Sequence, residues 1–189
     1  MTTPRELLEL YVQAKDSVRP QLMREIYAPD AVLTYSIATD SISFPARTVG
    51  LEAITRTLVV DFAQRFERCK TYYVCEGAPS DHAPFARIPW LVVMREPAAA
   101  MLRIGKGYYE WSFARPPRVM AMHIHIHRMD AIPDGEAILL VCAQDGLPYP
   151  WLQPSRLRAT YDRRAEESGA LAFLREFQTP LVLPAQDRA

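Results

Sequence analysis

Residues 102–128 of the chain read LRIGKGYYEWSFARPPRVMAMHIHIHR. Apolar and polar residues alternate on both sides of the central Arg-Pro-Pro, which predicts two strands, residues 102–113 and 119–128, joined by a turn. Two similar segments, residues 70–76 and 88–95, come earlier in the chain and are bounded by turn-forming residues. Four consecutive strands of this kind predict a curved antiparallel sheet built of hairpins.

The part of the chain before these strands carries helical patterns. Thr3 and Glu6 form a capping-box signature, and apolar residues then recur at helical spacing. The sequence predicts a short second helix after Pro20, a strand at residues 31–37 and a third helix after Gly50. Helices followed by a run of strands are typical of an α+β domain whose helices pack on one face of the sheet.

The composition of the chain excludes several classes of protein. Its 189 residues are 49% hydrophobic and 23% charged, which is typical of a globular domain and not of a disordered chain. Lys and Arg balance Asp and Glu at 22 each, so we expect neither nucleic acid nor membrane as a partner. The three cysteines form no CxxC motif, and the N-terminal residues lack a signal-peptide pattern. We therefore expect reduced thiols and a cytoplasmic location.

Four short segments follow one another at an informative spacing. They are Tyr11-Val12, YAPDAVLTY at residues 27–35, GLEAI at residues 50–54 and RVMAM at residues 118–122. Their order resembles that of the nuclear-transport-factor-2-like superfamily, which includes ketosteroid isomerase, SnoaL-like polyketide cyclases and scytalone dehydratase. Because the resemblance ends near residue 130, we predict a domain at residues 1–130 and a partly helical C-terminal extension at residues 131–189.

The resemblance implies a cone-shaped, curved antiparallel sheet whose concave face is covered by the helices and encloses a ligand cavity. Tyr11 matches the tyrosine that donates to the oxyanion in ketosteroid isomerase. The position of that enzyme's general base falls on Tyr35, and the position of its protonated carboxylic acid falls on Tyr109. A phenol with a pKa near ~10 is a poor general base at neutral pH, so we do not expect steroid isomerisation.

We predict that aromatic and aliphatic side chains line this cavity, namely Tyr11, Leu33, Tyr35, Phe62, Tyr109, Trp111, Met122, Ile124 and Ile126. Apolar walls with a few hydroxyls suit a small apolar ligand, although the same side chains could simply fill the core. The predicted function is a small-molecule-binding domain of the SnoaL-like or ketosteroid-isomerase-like type. It would be a lyase, isomerase or cyclase acting on an apolar hydroxylated or keto substrate, or else a non-catalytic ligand-binding or dimerisation module. No cofactor is predicted.

Three histidines, His123, His125 and His127, alternate with isoleucines and are predicted to point to one face of the last strand. Neighbouring imidazoles could share a metal ion with Glu110 as the third ligand, but the outer two lie about 13 Å apart, and we predict no metal site. The same face would expose Tyr108 beside the histidines. We therefore expect this convex face to join two subunits in a homodimer.

The extension contains the stiff apolar segment LPYPW at residues 147–151. Exposing its tyrosine and tryptophan would forgo roughly 2–3 kcal/mol for each side chain, so we expect the segment to dock. Two sites are open for it: the mouth of the cavity, or a partner subunit.

Overall fold

The structure is a computed structural model that describes residues 2–80 and 82–183. Met1, Asp81 and the last six residues of the predicted extension lie outside this part. Six α-helices occupy the described residues: α1 (Pro4–Asp16), α2 (Met23–Ile26), α3 (Leu51–Thr55), α4 (Asp61–Arg65), α5 (Ile138–Gln144) and α6 (Pro154–Glu167). Short 3-10 helices lie at Pro20–Leu22, Pro97–Ala99 and Gly169–Phe177, and a π-helix at Arg56–Val60 joins α3 to α4.

The helices begin where the sequence predicts them. Thr3 caps α1 through its side chain, and Glu6 completes the capping box by accepting from the Thr3 backbone. Gly50 precedes α3 with φ at +90°, a left-handed value that favours glycine, and its N–H donates to the carbonyl of Ala31. The second helix ends at Ile26, because the following strand begins at Tyr27.

Among the described residues, seven strands form one open sheet in the order β2-β1-β6-β5-β4-β3-β7. They are β1 (Tyr27–Ile37), β2 (Arg47–Val49), β3 (Glu67–Val74), β4 (Phe85–Glu96), β5 (Met101–Phe113), β6 (Val119–Pro133) and β7 (Trp151–Leu152). The four central strands β3 to β6 pair antiparallel, as predicted. The sheet as a whole is mixed, because β1 runs parallel to β6 and β7 runs parallel to β3. The α+β class predicted from the sequence is confirmed.

β5 pairs with β6 so that Tyr108 and Glu110 lie beside the histidines, as the sequence predicts. Tyr109 lies opposite Ile124 and Trp111 opposite Met122, so Tyr108 and Glu110 lie opposite His125 and His123. A bulge interrupts the ladder after Gly107, where Ile126 pairs with Gly107 and Arg128 pairs with Lys106. His127 is the extra residue of this bulge and is exposed.

Each face of the sheet is covered by its own core. On the inner face, defined here as the one covered by α1, α3 and α4, helical side chains such as Leu8, Val12 and Ile54 pack against β1, β4, β5 and β6. On the outer face, α5, α6 and the last 3-10 helix bury a second core against β3, β4 and β5. Its sheet residues are Tyr72, Val74, Leu91, Val93, Leu102 and Ile104. The helices of the extension therefore pack on the back of its own sheet.

The LPYPW segment docks at the edge of its own sheet, and none of its residues lines the cavity, so the predicted docking across the cavity mouth is wrong. Trp151 and Leu152 form β7 beside Tyr73 and Val74, and the Trp151 ring packs on Tyr73 with centroids 4.8 Å apart. The indole N–H of Trp151 donates to Oε1 of Glu9 at 2.7 Å. The LPYPW segment thus ties the extension to both α1 and the sheet.

Candidate functional site

A small apolar cavity lies between the inner face and helices α1 and α4. Its volume is about 40 Å³, and its walls are Tyr11, Lys15, Tyr35, Ile42, Phe44, Leu58, Phe62, Trp90, Val92, Met94, Tyr109, Ile124, Ile126 and Met129. The strands supply most of these side chains through their inward-facing alternate positions. Leu58 comes from the π-helix, a local irregularity that is frequent at functional sites.

Six of the nine residues named as cavity candidates from the sequence surround this space: Tyr11, Tyr35, Phe62, Tyr109, Ile124 and Ile126. Leu33 packs in the inner core and does not line the cavity. Trp111 and Met122 lie deeper, behind the wall. The Trp111 ring meets Tyr11 edge to face at 4.9 Å, and the sulfur of Met122 accepts from the Tyr27 hydroxyl at 2.9 Å. Both are fully packed core residues, because the sheet end that carries them is closed by α1.

The loop between β1 and β2, residues 38–46, closes the other side of the cavity. Ile42 and Phe44 reach from it into the lining. A surface groove next to the cavity shares Phe44 and Phe62 with it, so these two rings separate the cavity from solvent. Ser41 anchors the loop, since its hydroxyl donates to the carbonyl of Met129 and its carbonyl accepts from Arg103. Of these two rings, Phe44 is the one that the loop carries.

Gly107 makes room for one wall of the cavity. Trp90 lies opposite Gly107 in the sheet, and a Cβ atom at Gly107 would come within 2.7 Å of the Trp90 ring and 1.9 Å of the carbonyl oxygen of His125. The Trp90 ring fills that space and stacks on Tyr109 with centroids 5.5 Å apart. Only glycine allows this approach of backbone and indole.

The cavity walls present hydrogen-bond donors that other described side chains do not satisfy. The hydroxyl of Tyr35 and the indole N–H of Trp90 are buried without a partner among the described residues. The Tyr11 hydroxyl lies near that of Tyr109 but completes no bond of ordinary geometry to it. An unpartnered buried hydroxyl costs about 1–3 kcal/mol, so a ligand atom that accepts from it gains that amount.

Burial raises the pKa values of the cavity phenols. For Tyr11 and Tyr109 the raised pKa follows from burial first and from the neighbouring phenol or carboxylate second. Burial also raises the pKa of Tyr35, despite the nearby Lys15. The three phenols therefore stay protonated and donate hydrogen bonds across the physiological pH range.

The cavity also contains a charged group that the sequence reasoning missed. Lys15 lies one helical turn after Tyr11 on α1, and its Nζ atom lies 4.5 Å from the centre of the Phe62 ring. Nζ donates to Oδ1 of Asp16 at 3.0 Å, to Oγ1 of Thr71 at 2.9 Å and to Sγ of Cys69 at 3.2 Å. The signal was present in the sequence, because position 15 continues the apolar face of α1.

The neighbouring carboxylate of Asp16 stabilises the charged form of Lys15. Burial alone would lower the pKa of Lys15, but the Asp16 carboxylate, with smaller contributions from Cys69 and Tyr11, raises it above its ordinary value. Asp16 accepts from the Thr71 N–H at 2.6 Å, from the Thr71 hydroxyl at 3.0 Å and from the Tyr149 hydroxyl at 3.0 Å. Lys15 and Asp16 thus form a buried ion pair whose net charge is zero.

The half of the outer face that the extension leaves uncovered is here named the outer patch. It consists of the partly exposed residues Thr34, Ser36, Arg87, Tyr108, Glu110, Ala121, His123 and His125. Tyr108 stacks on His125 with centroids 4.8 Å apart, and Arg87 lies over Tyr108 at 4.3 Å. This is the face that the sequence analysis assigned to a second subunit.

Hydroxyl groups lie within hydrogen-bonding distance of three of the four ring nitrogens of His123 and His125. His123 Nδ1 lies 2.8 Å from Thr34 Oγ1, and its Nε2 lies 2.8 Å from Ser36 Oγ, which also contacts His125 Nδ1 at 2.8 Å. Glu110, the candidate third ligand, is paired with Arg87 at 2.9 Å. In residues 2–80 and 82–183, no three His, Cys, Asp or Glu side chains are grouped as a metal site would require.

No protein-family model matches the sequence, and no curated protein matches it. Within the described part of the chain, no helix is long and apolar enough to cross a membrane. The overall architecture is nevertheless shared with solved structures.

One such structure is a hypothetical protein of Catenulispora acidiphila with a ketosteroid isomerase-like fold, in complex with trimethylamine. It has a TM-score of 0.51 and 16% identity over 78% of this chain and 96% of its own. A Mycobacterium tuberculosis protein in complex with estradiol-17β-hemisuccinate has a TM-score of 0.52 and 13% identity over 65% of this chain and 93% of its own. A nuclear transport factor 2-like superfamily protein of Salmonella enterica has a TM-score of 0.50 and 12% identity over 68% of this chain and 87% of its own. The chain therefore has the nuclear-transport-factor-2-like fold that its sequence segments resemble.

Proposed function

We propose that this chain is a small-molecule-binding domain that takes an apolar ligand into the cavity of its inner face. The observation that carries the proposal is the pair of buried phenol hydroxyls of Tyr11 and Tyr35, which have no completed hydrogen bond in the described residues although they lie at an apolar cavity. A ligand oxygen would satisfy them. Two structures of the same fold hold small organic molecules, which supports the proposal.

The cavity must widen to admit such a ligand. Its volume of about 40 Å³ is well below the roughly 300–1,000 Å³ of ordinary ligand sites. Phe44 stacks on Tyr35 at the side nearest to the surface groove. We therefore propose that ligand entry displaces Phe44 and the β1–β2 loop around it.

The catalytic form of the proposal is a lyase, isomerase or cyclase acting on an apolar hydroxylated or keto substrate. Tyr11 and Tyr35 would donate hydrogen bonds to a substrate oxygen and stabilise negative charge that develops there. The raised pKa of Tyr35 makes this residue a donor and not the proton acceptor that the matching position supplies in ketosteroid isomerase. That observation favours a second candidate, a binding module without catalysis.

We also propose that two copies associate through the outer patch. The patch combines the stacked rings of Tyr108 and His125 with polar groups that pair within it, including Arg87 and Glu110. Arg87 and Glu110 neutralise each other within the patch. Two copies related by a two-fold axis would therefore bring no net like charge together. The extension already covers the remainder of the outer face.

Calorimetric titration with 2-acetylnaphthalene tests cavity binding. Val92 lines the cavity, whereas Val93, its neighbour in β4, is buried in the outer core. Val92→Phe should abolish binding because the added ring fills the cavity. Val93→Phe, an overpacking change that costs a similar ~1–3 kcal/mol of stability, should leave binding intact. Equal binding by both variants, or none by the unmodified chain, would contradict the proposal.

A further inference from the structure

All three N–H groups of Lys15 have a partner, and one of these partners is a weak acceptor that a ligand could replace. Two of its three N–H groups bind oxygen atoms, of Asp16 and Thr71, and the third points at the sulfur of Cys69 at 3.2 Å. Burial raises the pKa of Cys69 to about 12, so its sulfur is a neutral thiol and a weak acceptor. A ligand oxygen would accept a stronger, charge-assisted bond from the ammonium group than the thiol does.

The charge balance of the site selects the charge of the ligand. Lys15 and Asp16 cancel, and both side chains are at least nine-tenths buried. A ligand carboxylate or ammonium would bring an uncompensated charge into this apolar space, which costs several kcal/mol. A neutral ligand avoids that cost.

The polar atoms of the cavity select for acceptors. Lys15 and the Trp90 N–H can only donate, and the phenols of Tyr11 and Tyr35 are protonated and lack a completed hydrogen bond within the described chain. A carbonyl oxygen accepts from such groups and carries no proton that would itself need a partner. A neutral carbonyl compound therefore fits both the charge and the hydrogen bonds.

The C-terminal extension contributes to the same charged pair. Tyr149 lies in the LPYPW segment, outside the part of the chain that resembles the superfamily, and its hydroxyl donates to Oδ2 of Asp16 at 3.0 Å. The Thr71 N–H donates to the same oxygen at 2.6 Å. Together they fix the Asp16 carboxylate, which in turn holds the Lys15 ammonium at the cavity wall.

We propose that Lys15 binds the carbonyl oxygen of a neutral ketone-type or ester-type ligand, and that Tyr149 of the extension is a positioning residue for it through Asp16. This inference rests on the proposed function, since it names the ligand class of the same cavity. It assigns the extension a role in ligand selection without any contact between the extension and the ligand.

Four probes on one naphthalene skeleton test the inference by calorimetric titration: 2-acetylnaphthalene, 2-ethylnaphthalene, 2-naphthoate and 1-(2-naphthyl)ethylamine. The unmodified chain should bind the ketone about tenfold more tightly than the hydrocarbon, a difference of about 1.4 kcal/mol, and the two ions most weakly. In Lys15→Met/Asp16→Asn, which removes both charges together, the ketone should lose its advantage over the hydrocarbon. Tyr149→Phe should reduce that advantage several-fold.

Tyr161→Phe is the matched control, because Tyr161 lies in the same extension but donates to the carbonyl of Ala143 in the outer core. It should leave the ratio of ketone to hydrocarbon affinity unchanged. Should the double variant fail to fold, Tyr149→Phe decides, since this partly exposed side chain is not needed for the core.

The outcomes separate the two proposals. Binding of no probe by the unmodified chain would overturn the proposed function, and the inference with it. Binding of the hydrocarbon and the ketone with equal affinity, tighter binding of the carboxylate, or a ketone advantage that survives in both Lys15→Met/Asp16→Asn and Tyr149→Phe would overturn the inference alone.

Discussion

The ring of Phe44 lies parallel to that of Tyr35, with centroids 4.8 Å apart and planes 3° from each other. Tyr35 is fixed in β1, whereas Phe44 belongs to the loop that closes the cavity. The stacked pair therefore couples a candidate ligand-binding hydroxyl to the side chain that separates it from solvent.

Phe44→Ala should speed the entry of 2-acetylnaphthalene several-fold, because the entering ligand no longer has to displace a stacked ring. Stopped-flow titration measures the association rate. Phe85→Ala, which removes an exposed phenylalanine from the far side of the sheet, is the control and should leave the rate unchanged. Identical rates for Phe44→Ala and the unmodified chain would show that the ligand enters by another path.

Removing a buried side chain by which the extension packs on the sheet should destabilise the domain. Leu174 is fully buried in the outer core, so Leu174→Ala should lower the free energy of unfolding in urea by about 2–5 kcal/mol. Val182→Ala, at a site that is 89% exposed in the same extension, should change it little. If Leu174→Ala unfolds at the same urea concentration as the unmodified chain, the extension does not stabilise the sheet.

His125 should make the stability of the chain depend on pH. Burial, then His127 and His123, lower the pKa of His125. A histidine whose pKa is lower in the folded state stabilises the fold above the unfolded value of about 6.5, and that contribution is lost as the pH falls below it. Urea unfolding at about pH 7.5 and about pH 5.5 should therefore show a smaller loss on acidification for His125→Gln than for the unmodified chain.

The control for this titration is His82→Gln, which removes an exposed loop histidine. It should retain the full loss of stability on acidification. A His125→Gln variant that loses as much stability as the unmodified chain would assign the pH dependence to other groups.

Association through the outer patch should be sensitive to a single added charge. Ala121 lies in the patch beside His123, and Ala121→Arg should convert a particle of twice 21.5 kDa into one of 21.5 kDa. Ala99→Arg makes the same change at an exposed position of the 3-10 helix Pro97–Ala99, outside the patch, and should leave the dimer intact. Light scattering that gives a monomer for the unmodified chain, or a dimer for Ala121→Arg, would refute association through this face.

The alternation of residues predicted the central strands and the face on which most of their side chains lie. A period of two places Tyr109 and Ile124 on the same face, but it does not show the bulge at His127 that shifts the register. Alternation does not identify which strand lies beside which. The parallel placement of β1 next to β6 depends on contacts distant in sequence, and the residues of β1 alone do not show it.

The sequence contains a sign, not used in the predictions above, that the extension covers the outer face of the sheet. Residues 90–94, WLVVM, are all buried, and an unbroken apolar run is typical of a strand packed on both faces. Leu91 and Val93 of this run contact the extension in the outer core. The cavity lining was predicted only in part. A search for apolar residues finds Tyr11, but it passes over the buried Lys15.

The central claim, that the inner cavity is a ligand site, is tested most directly by electron density in crystals grown with 2-acetylnaphthalene. We expect density for one probe molecule between Tyr35 and Tyr109, with Phe44 rotated away from Tyr35. The carbonyl oxygen should lie within about 3 Å of Nζ of Lys15. Probe density confined to the surface, with Phe44 still stacked on Tyr35 at saturating probe, would contradict the claim.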